Sequence, residues 1–187
     1  MPYKNIDALA NEEVYKKTYK RKTILDRVWI IDEYLNNPRS VVYVNRRTGQ
    51  SVMAIRGTGS SARDVVTDIR MGLGKDLKDT SRFKEAEKSY LEYADKYKRN
   101  RTIAGHSLGS AIGQDISRKY RDAEDNFVLF NKPHTHFMSP EVVDSRVQEY
   151  RIARDPVSMF SRRAVTLQAK DEEDNLARRH GIAQFIN

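Results

Sequence analysis

The chain has 187 residues and a mass of 21.7 kDa, a length that suits one globular core and leaves little room for two. Cysteine is absent, which excludes disulfides, thiolate metal sites and a cysteine nucleophile, and no apolar run reaches the about 18 residues that a membrane-spanning helix needs. Lys and Arg number 34 against 26 Asp and Glu, giving a net charge of +8 and an isoelectric point near 9.6. Such a surface favours anionic partners. The cations are scattered from Lys16 to Arg179 with no zinc-finger spacing, RNA-binding aromatic signature or basic zipper, so nothing in their placement favours nucleic acid.

The N-terminus carries acidic residues (Asp7, Glu12, Glu13) and no apolar stretch of the kind found in a cleaved secretory leader, which points to an intracellular or virion-associated setting. Mean hydropathy is −0.75, yet Val, Ile, Leu, Phe and Tyr recur in patterned clusters, as a folded domain requires. Residues 7–20 and 23–36 read as two helices, the second from the spacing of Ile24, Val28, Ile31 and Leu35, with Asn36-Asn37-Pro38 as its stop. Residues 40–45 and 51–56 read as strands joined by a turn at Arg46-Arg47-Thr48-Gly49. A short helix is expected over 63–71, then a long amphipathic helix over 81–99 with Phe83, Ala86, Tyr90, Leu91, Ala94 and Tyr97 on its apolar stripe. A strand at 102–104, a helix at 108–120 and a strand at 127–130 follow. Beyond these come a helix at 140–147, strands at 149–153 and 164–169, and a final helix or turn after Asp174. Alternating strands and helices of this kind specify an α/β fold: a mostly parallel central sheet with helices on both faces, opened by an antiparallel hairpin. Residues 1–187 read as a single domain, with 1–38 as N-terminal helices packed on it.

The strongest chemical signal is Gly105-His106-Ser107-Leu108-Gly109. A G-x-S-x-G match between a strand and an amphipathic helix is the setting of a nucleophile elbow, a sharp turn that lifts a serine hydroxyl clear of the sheet. The two glycines let strand and helix approach closely. The following helix N-terminus favours developing negative charge, with the Leu108 N–H as one oxyanion donor. A serine hydroxyl needs a base, and the chain has four histidines: His106, His134, His136 and His180. His106 lies inside the elbow, whereas His180 fits the chain order Ser, acid, His of α/β-hydrolases. Asp155 is the best-placed acid, because Tyr150–Arg154 reads as a strand and Pro156 ends it. Asp144, Asp171 and Asp174 compete with it. The second oxyanion donor is expected from Thr58, at the end of a buried strand closing on Arg56-Gly57, with Asp64 or Asp68 placed to fix its side chain.

Together, Arg56-Gly57-Thr58, Asp64…Asp68-Ile69, Gly105–Gly109, Tyr150-Arg151-Ile152 with Asp155-Pro156-Val157 and a late His180 resemble the class 3 (fungal-type) lipase family of α/β-hydrolases over roughly residues 40–187. The resemblance implies a compact α/β-hydrolase fold and hydrolysis of lipid carboxylic esters with Ser107, His180 and Asp155 as the triad. It further implies Thr58 and Leu108 as the oxyanion hole, and no metal or organic cofactor. The sequence departs from the family in four places. Only 25 positions separate Asp155 from His180, where the family has a longer stretch. Ser110 stands where a glycine is usual, and Asn131-Lys132-Pro133-His134-Thr135-His136 replaces a Gly-Ser-Pro loop. The stretch 59–68, matching the family's lid, is polar apart from Val65 and Val66. His134, His136, Val65 and Val66 are the expected substrate-mouth residues; no third ligand accompanies the His pair to make a metal site.

The reading is a serine esterase acting on phospholipid or acylglycerol esters, its positive surface bringing it to anionic membranes. The alternative is a non-catalytic basic binding or structural protein on a hydrolase scaffold.

Overall fold

The computed structural model describes residues 5–25, 27–58, 77–133, 144–155, 158, 164–169 and 181–186. Their centre is a seven-stranded sheet in sequential order: β1 Trp29–Ile31, β2 Ser40–Asn45, β3 Ser51–Ile55, β4 Arg101–His106, β5 Asn126–Phe130, β6 Val147–Ile152 and β7 Val165–Leu167. β1, β2 and β3 pair antiparallel; β3 to β7 run parallel. This is the expected α/β architecture, opened by a hairpin whose turn passes through Gly49 at φ +69°.

Helices cover both faces. α1 (Asn5–Glu13) puts Ile6, Ala10 and Val14 against Val52, Ala54 and Ala104. On the opposite face α2 (Ser81–Lys96) and α3 (Leu108–Lys119) pack Phe83, Tyr90, Tyr93, Ile112 and Ile116 on Met53, Ile55, Ile103, Phe127 and Leu129. The alternation of side chains along β3 sends residues 52 and 54 to one layer and 53 and 55 to the other, so the strand is buried on both sides, as parallel strands are. α2 starts where the Thr80 hydroxyl accepts the Phe83 N–H at 3.2 Å, an N-cap. Arg101 holds its far end, donating to the Ala94 and Tyr97 carbonyls at 2.9 and 2.8 Å and pairing with buried Asp125.

Four sequence expectations change. The helix expected over 7–20 ends at Glu13, with a separate short 3-10 turn at Thr18–Lys20. Residues 23–36 are not a helix: Leu25 and Arg27 have positive φ, Ile24 bridges Trp29, and Trp29–Ile31 join the sheet as its edge. The helical spacing of Ile24, Val28, Ile31 and Leu35 is real, but Val28-Trp29-Ile30-Ile31 is also a β-branched and aromatic run, and pairing with β2 buries Trp29. In α2, Leu91 faces outward and Tyr93 takes its place in the core, with Ala94 and Tyr97 only partly buried. Val147 opens β6 rather than closing a helix; residues 140–143 of that expected helix, and the helix expected over 63–71, lie outside the described residues.

Burial raises the phenols of Tyr43, Tyr90, Tyr93 and Tyr97 far above their ordinary pKa of 10, and lifts Tyr15 to about 12. Between pH 10 and 12 the unfolded chain therefore loses phenolic protons that the folded chain keeps, so stability falls as pH rises through that window. Alkaline titration followed by tyrosinate absorbance and circular dichroism should show these phenols ionising together with unfolding. Reversible ionisation of all ten tyrosines in the folded protein near pH 10 would contradict this.

Candidate active site

Every parallel strand from β3 to β6 ends at the same edge of the sheet, and the described candidates Thr58, Ser107, Leu108 and Asp155 follow those strand ends. Ser107 follows β4 and precedes α3 with φ +57° and ψ −127°, a region that a residue with a Cβ adopts at a cost of roughly 1–3 kcal/mol. The elbow is held from several sides. The Ser107 N–H donates to the Phe130 carbonyl at 3.0 Å, and the Ser107 carbonyl accepts from the Ser110 N–H at 2.9 Å. A Cβ on Gly109 would stand 2.2 Å from the Ile55 oxygen, and one on Gly105 would stand 2.5 Å from the Gly109 oxygen. Both glycines are thus required for α3 to press on β3 and β4. Ser110, a departure from the family pattern, has a positive role: its hydroxyl lies 2.7 Å from the Gly105 carbonyl and 2.8 Å from that of Phe130.

Ser107 is 1% exposed, and among the described residues its Oγ has no hydrogen-bond partner. The Thr58 Oγ1 is likewise buried and without a partner among the described residues. The two belong to adjoining turns, since a Cβ on Gly57 would sit 3.2 Å from the Ser107 Cβ. Arg82, from α2, fixes the Gly57 turn by donating from Nη2 to the Arg56 and Gly57 carbonyls at 2.8 and 3.0 Å. Because a trans peptide sets C=O and N–H on opposite sides, this holds the Thr58 N–H away from Arg82. The Leu108 N–H opens α3, where the first helical N–H groups have no intrahelical acceptor.

The other side of the elbow is Tyr15. Its hydroxyl accepts the Gly57 N–H at 3.2 Å and lies 3.0 Å from His106 Nδ1, its ring edge-on to the imidazole. Burial outweighs that backbone hydrogen bond and the nearby Arg56 and Arg82 charges, which is why the phenol stays protonated to about 12. His106 is turned to the α1 face of the sheet, occupied with Tyr15, as expected for an elbow residue that is not the base.

Asp155, just past β6, is fully buried. Its Oδ2 accepts the Ser158 hydroxyl and, at 3.2 Å, the Ser158 N–H. Asn131, at φ +44° beyond β5, accepts the Ile152 N–H on its side-chain oxygen at 3.0 Å and donates its own N–H to the Tyr150 carbonyl at 2.8 Å. Consecutive residues Phe130 and Asn131 thus brace the serine turn on one side and the acid turn on the other. Asp144 is instead committed to Arg146, whose hydrogen bonds hold its carboxyl below the ordinary range. Among the described residues no three His, Asp or Glu side chains converge as a metal set. Replacing Ser158 by Ala removes a donor to a buried carboxylate and is expected to cost about 1.5–3 kcal/mol, readable as a lower urea midpoint with unchanged slope.

Neither a family model nor a curated protein matches the sequence. Among solved structures, the Lip2 lipase of Yarrowia lipolytica aligns with a TM-score of 0.54 over 83% of this chain and 72% of that one, at 16% identity. The fold is lipase-like. On this lipase-like frame Ser107, Leu108, Thr58 and Asp155 fall at the strand ends where the sequence reading put them. His180, His134, His136, Val65, Val66, Asp64, Asp68, Asp171 and Asp174 lie outside the described residues. The sequence reading missed the supports: Tyr15, Arg82, Asn131 and Ser158. An arginine on the first turn of a helix and a tyrosine after another leave no motif; only Asn131, following a buried strand, carried a local signal for a turn. No described helix is long and apolar enough to cross a membrane.

Proposed function

We propose that the protein is a serine hydrolase of lipid carboxylic esters, related to the class 3 lipases, with Ser107, His180 and Asp155 as its triad. The observation that carries this reading is the strained Ser107, its buried hydroxyl and that of neighbouring Thr58 both without a hydrogen-bond partner among the described residues. Strain and unpaired polar groups both oppose folding, and their coincidence at one strand end is what a preformed reaction site costs.

In the proposed cycle His180 takes the Ser107 proton as Oγ attacks the ester carbonyl carbon. The Thr58 and Leu108 N–H groups hold the tetrahedral oxyanion. His180 returns the proton to the departing alcohol as the C–O bond breaks, and water then repeats both steps on the acyl-enzyme to release the acid. Asp155 keeps the imidazole oriented and stabilises its cation. His134, His136, Val65 and Val66 shape the substrate mouth, and the positive surface brings the enzyme to anionic membranes.

A fluorophosphonate probe should label Ser107, and the label should vanish in Ser107→Ala. Esters of graded chain length and phospholipid vesicles then read the substrate range, with faster turnover on anionic than neutral vesicles at low salt and a gap that closes as salt rises. No labelling and no hydrolysis of any ester would overturn the reading.

A further inference from the structure

The guanidinium of Arg56 stands beside the candidate site with no ion pair among the described residues. It leaves β3 on the α1 face, half-buried, and lies over the Tyr15 ring at 5.6 Å from its centroid. Tyr15 is the residue whose hydroxyl touches both Gly57 and His106, so a single ring separates Arg56 from the elbow. Stacking on a ring occupies the face of a guanidinium but none of its five N–H donors, which point outward in its plane. Among the described residues no hydrogen bond or ion pair takes up those donors.

The surroundings make this an excess of positive charge. Arg82 donates to the same turn, and burial together with the Arg39 and Arg56 charges pushes its pKa down. Arg21 is depressed too, first by burial, with Arg56 among the opposing charges, and its Nη1 and Nη2 are engaged with Val14, Asn36, Asn37 and Ser40. The carboxylates that act on Arg82 and Arg21 are themselves engaged: Glu85 pairs with Arg39, and Glu13 with Lys16 and the Lys22 N–H. A planar fork of unused donors, half screened from water and crowded by like charge, is built to receive an oxyanion bidentately.

We propose that Arg56 forms an anion subsite that binds the phosphate of the ester substrate, so that the preferred substrates are phosphate-bearing acyl esters rather than neutral acylglycerols. The proposal rests on the hydrolase reading for what happens next to the anion, but the binding itself does not require turnover.

The test uses the full chain carrying Ser107→Ala, which cannot turn over, with monomeric dihexanoylphosphatidylglycerol and dihexanoylglycerol as ligands in calorimetric titrations. The phosphate-bearing lipid should bind at least ten-fold more tightly. Adding Arg56→Gln should erase that preference while leaving dihexanoylglycerol binding within two-fold, and Arg56→Lys should retain part of it. Inorganic phosphate separates the two sources of the anion. Competition at millimolar levels supports a subsite open to free phosphate, and absence of competition supports one that requires the lipid headgroup. Equal binding of the two lipids, or a preference that survives Arg56→Gln, overturns the proposal. Fluorophosphonate labelling and ester hydrolysis by the wild-type protein are read separately: labelling without lipid preference sinks the subsite alone, and preference with neither labelling nor hydrolysis sinks the hydrolase reading alone.

Discussion

Replacing Ser107 by glycine is expected to abolish ester hydrolysis and, in the same protein, to raise its stability above that of Ser107→Ala. Both variants lose the proposed nucleophile, so hydrolysis should fall by at least ~10³-fold and probe labelling should disappear. They differ in the backbone. Alanine keeps the Cβ that makes φ +57°, ψ −127° costly, and glycine does not. Relief of roughly 1–3 kcal/mol of strain, less the about 0.4–1 kcal/mol by which glycine loosens the unfolded chain, leaves Ser107→Gly ahead of Ser107→Ala by roughly 0.5–2 kcal/mol. At about 2–4 °C per kcal/mol for a chain of this size, thermal melts resolve that difference. A glycine variant no more stable than the alanine variant would mean that the turn stores no strain, and the chief physical argument for a reaction site at residue 107 would go with it.

Strain of this kind also separates what the sequence discloses from what it hides. The elbow was legible because its needs are local: two residues without a Cβ, a serine between them, a strand before and a helix after. The sheet was legible because strands 41–44, 52–55, 103–105 and 127–130 are buried on both faces and so are apolar almost without interruption. Asp155 could be placed because a proline follows it. The segment 23–36 misled because its apolar residues satisfy a helical period and a β run at once, and the choice was made by a tertiary fact, the open edge of β2 that Trp29–Ile31 fill. The braces of the site are tertiary throughout. Tyr15 reaches Gly57 across 42 positions and His106 across 91, and Arg82 reaches the Arg56 carbonyl across 26. Single side chains at such separations carry no periodicity or spacing by which to be recognised. The departure at Ser110 shows the converse. It departs from the family pattern, yet its hydroxyl joins the Gly105 and Phe130 carbonyls and so ties the elbow to β5.

Substitution of Gly109 by alanine is expected to cost at least ~3 kcal/mol and to remove activity even in the fraction that folds. Its Cβ would stand 2.2 Å from the Ile55 oxygen and 3.1 Å from the Ile55 carbonyl carbon, and these are backbone atoms of a strand fixed between β2 and β4. β3 cannot retreat without breaking its ladders, so α3 must lift instead, and with it the Ser107 turn whose carbonyl caps that helix. Gly113, one turn further along α3, provides the control. A Cβ there meets only the Leu129 Cδ2, at 3.1 Å, the far end of a side chain. Alanine also gains about 1 kcal/mol over glycine in a helix interior, which offsets the few tenths of an ångström that Leu129 must yield. Gly113→Ala should therefore stay within about 1 kcal/mol of the wild type and keep its hydrolytic rate. Urea midpoints and ester hydrolysis on the pair decide the matter: if Gly109→Ala were as stable and as active as Gly113→Ala, α3 would not be seated on β3 through Gly109, and the close approach that shapes the elbow would have no mechanical basis.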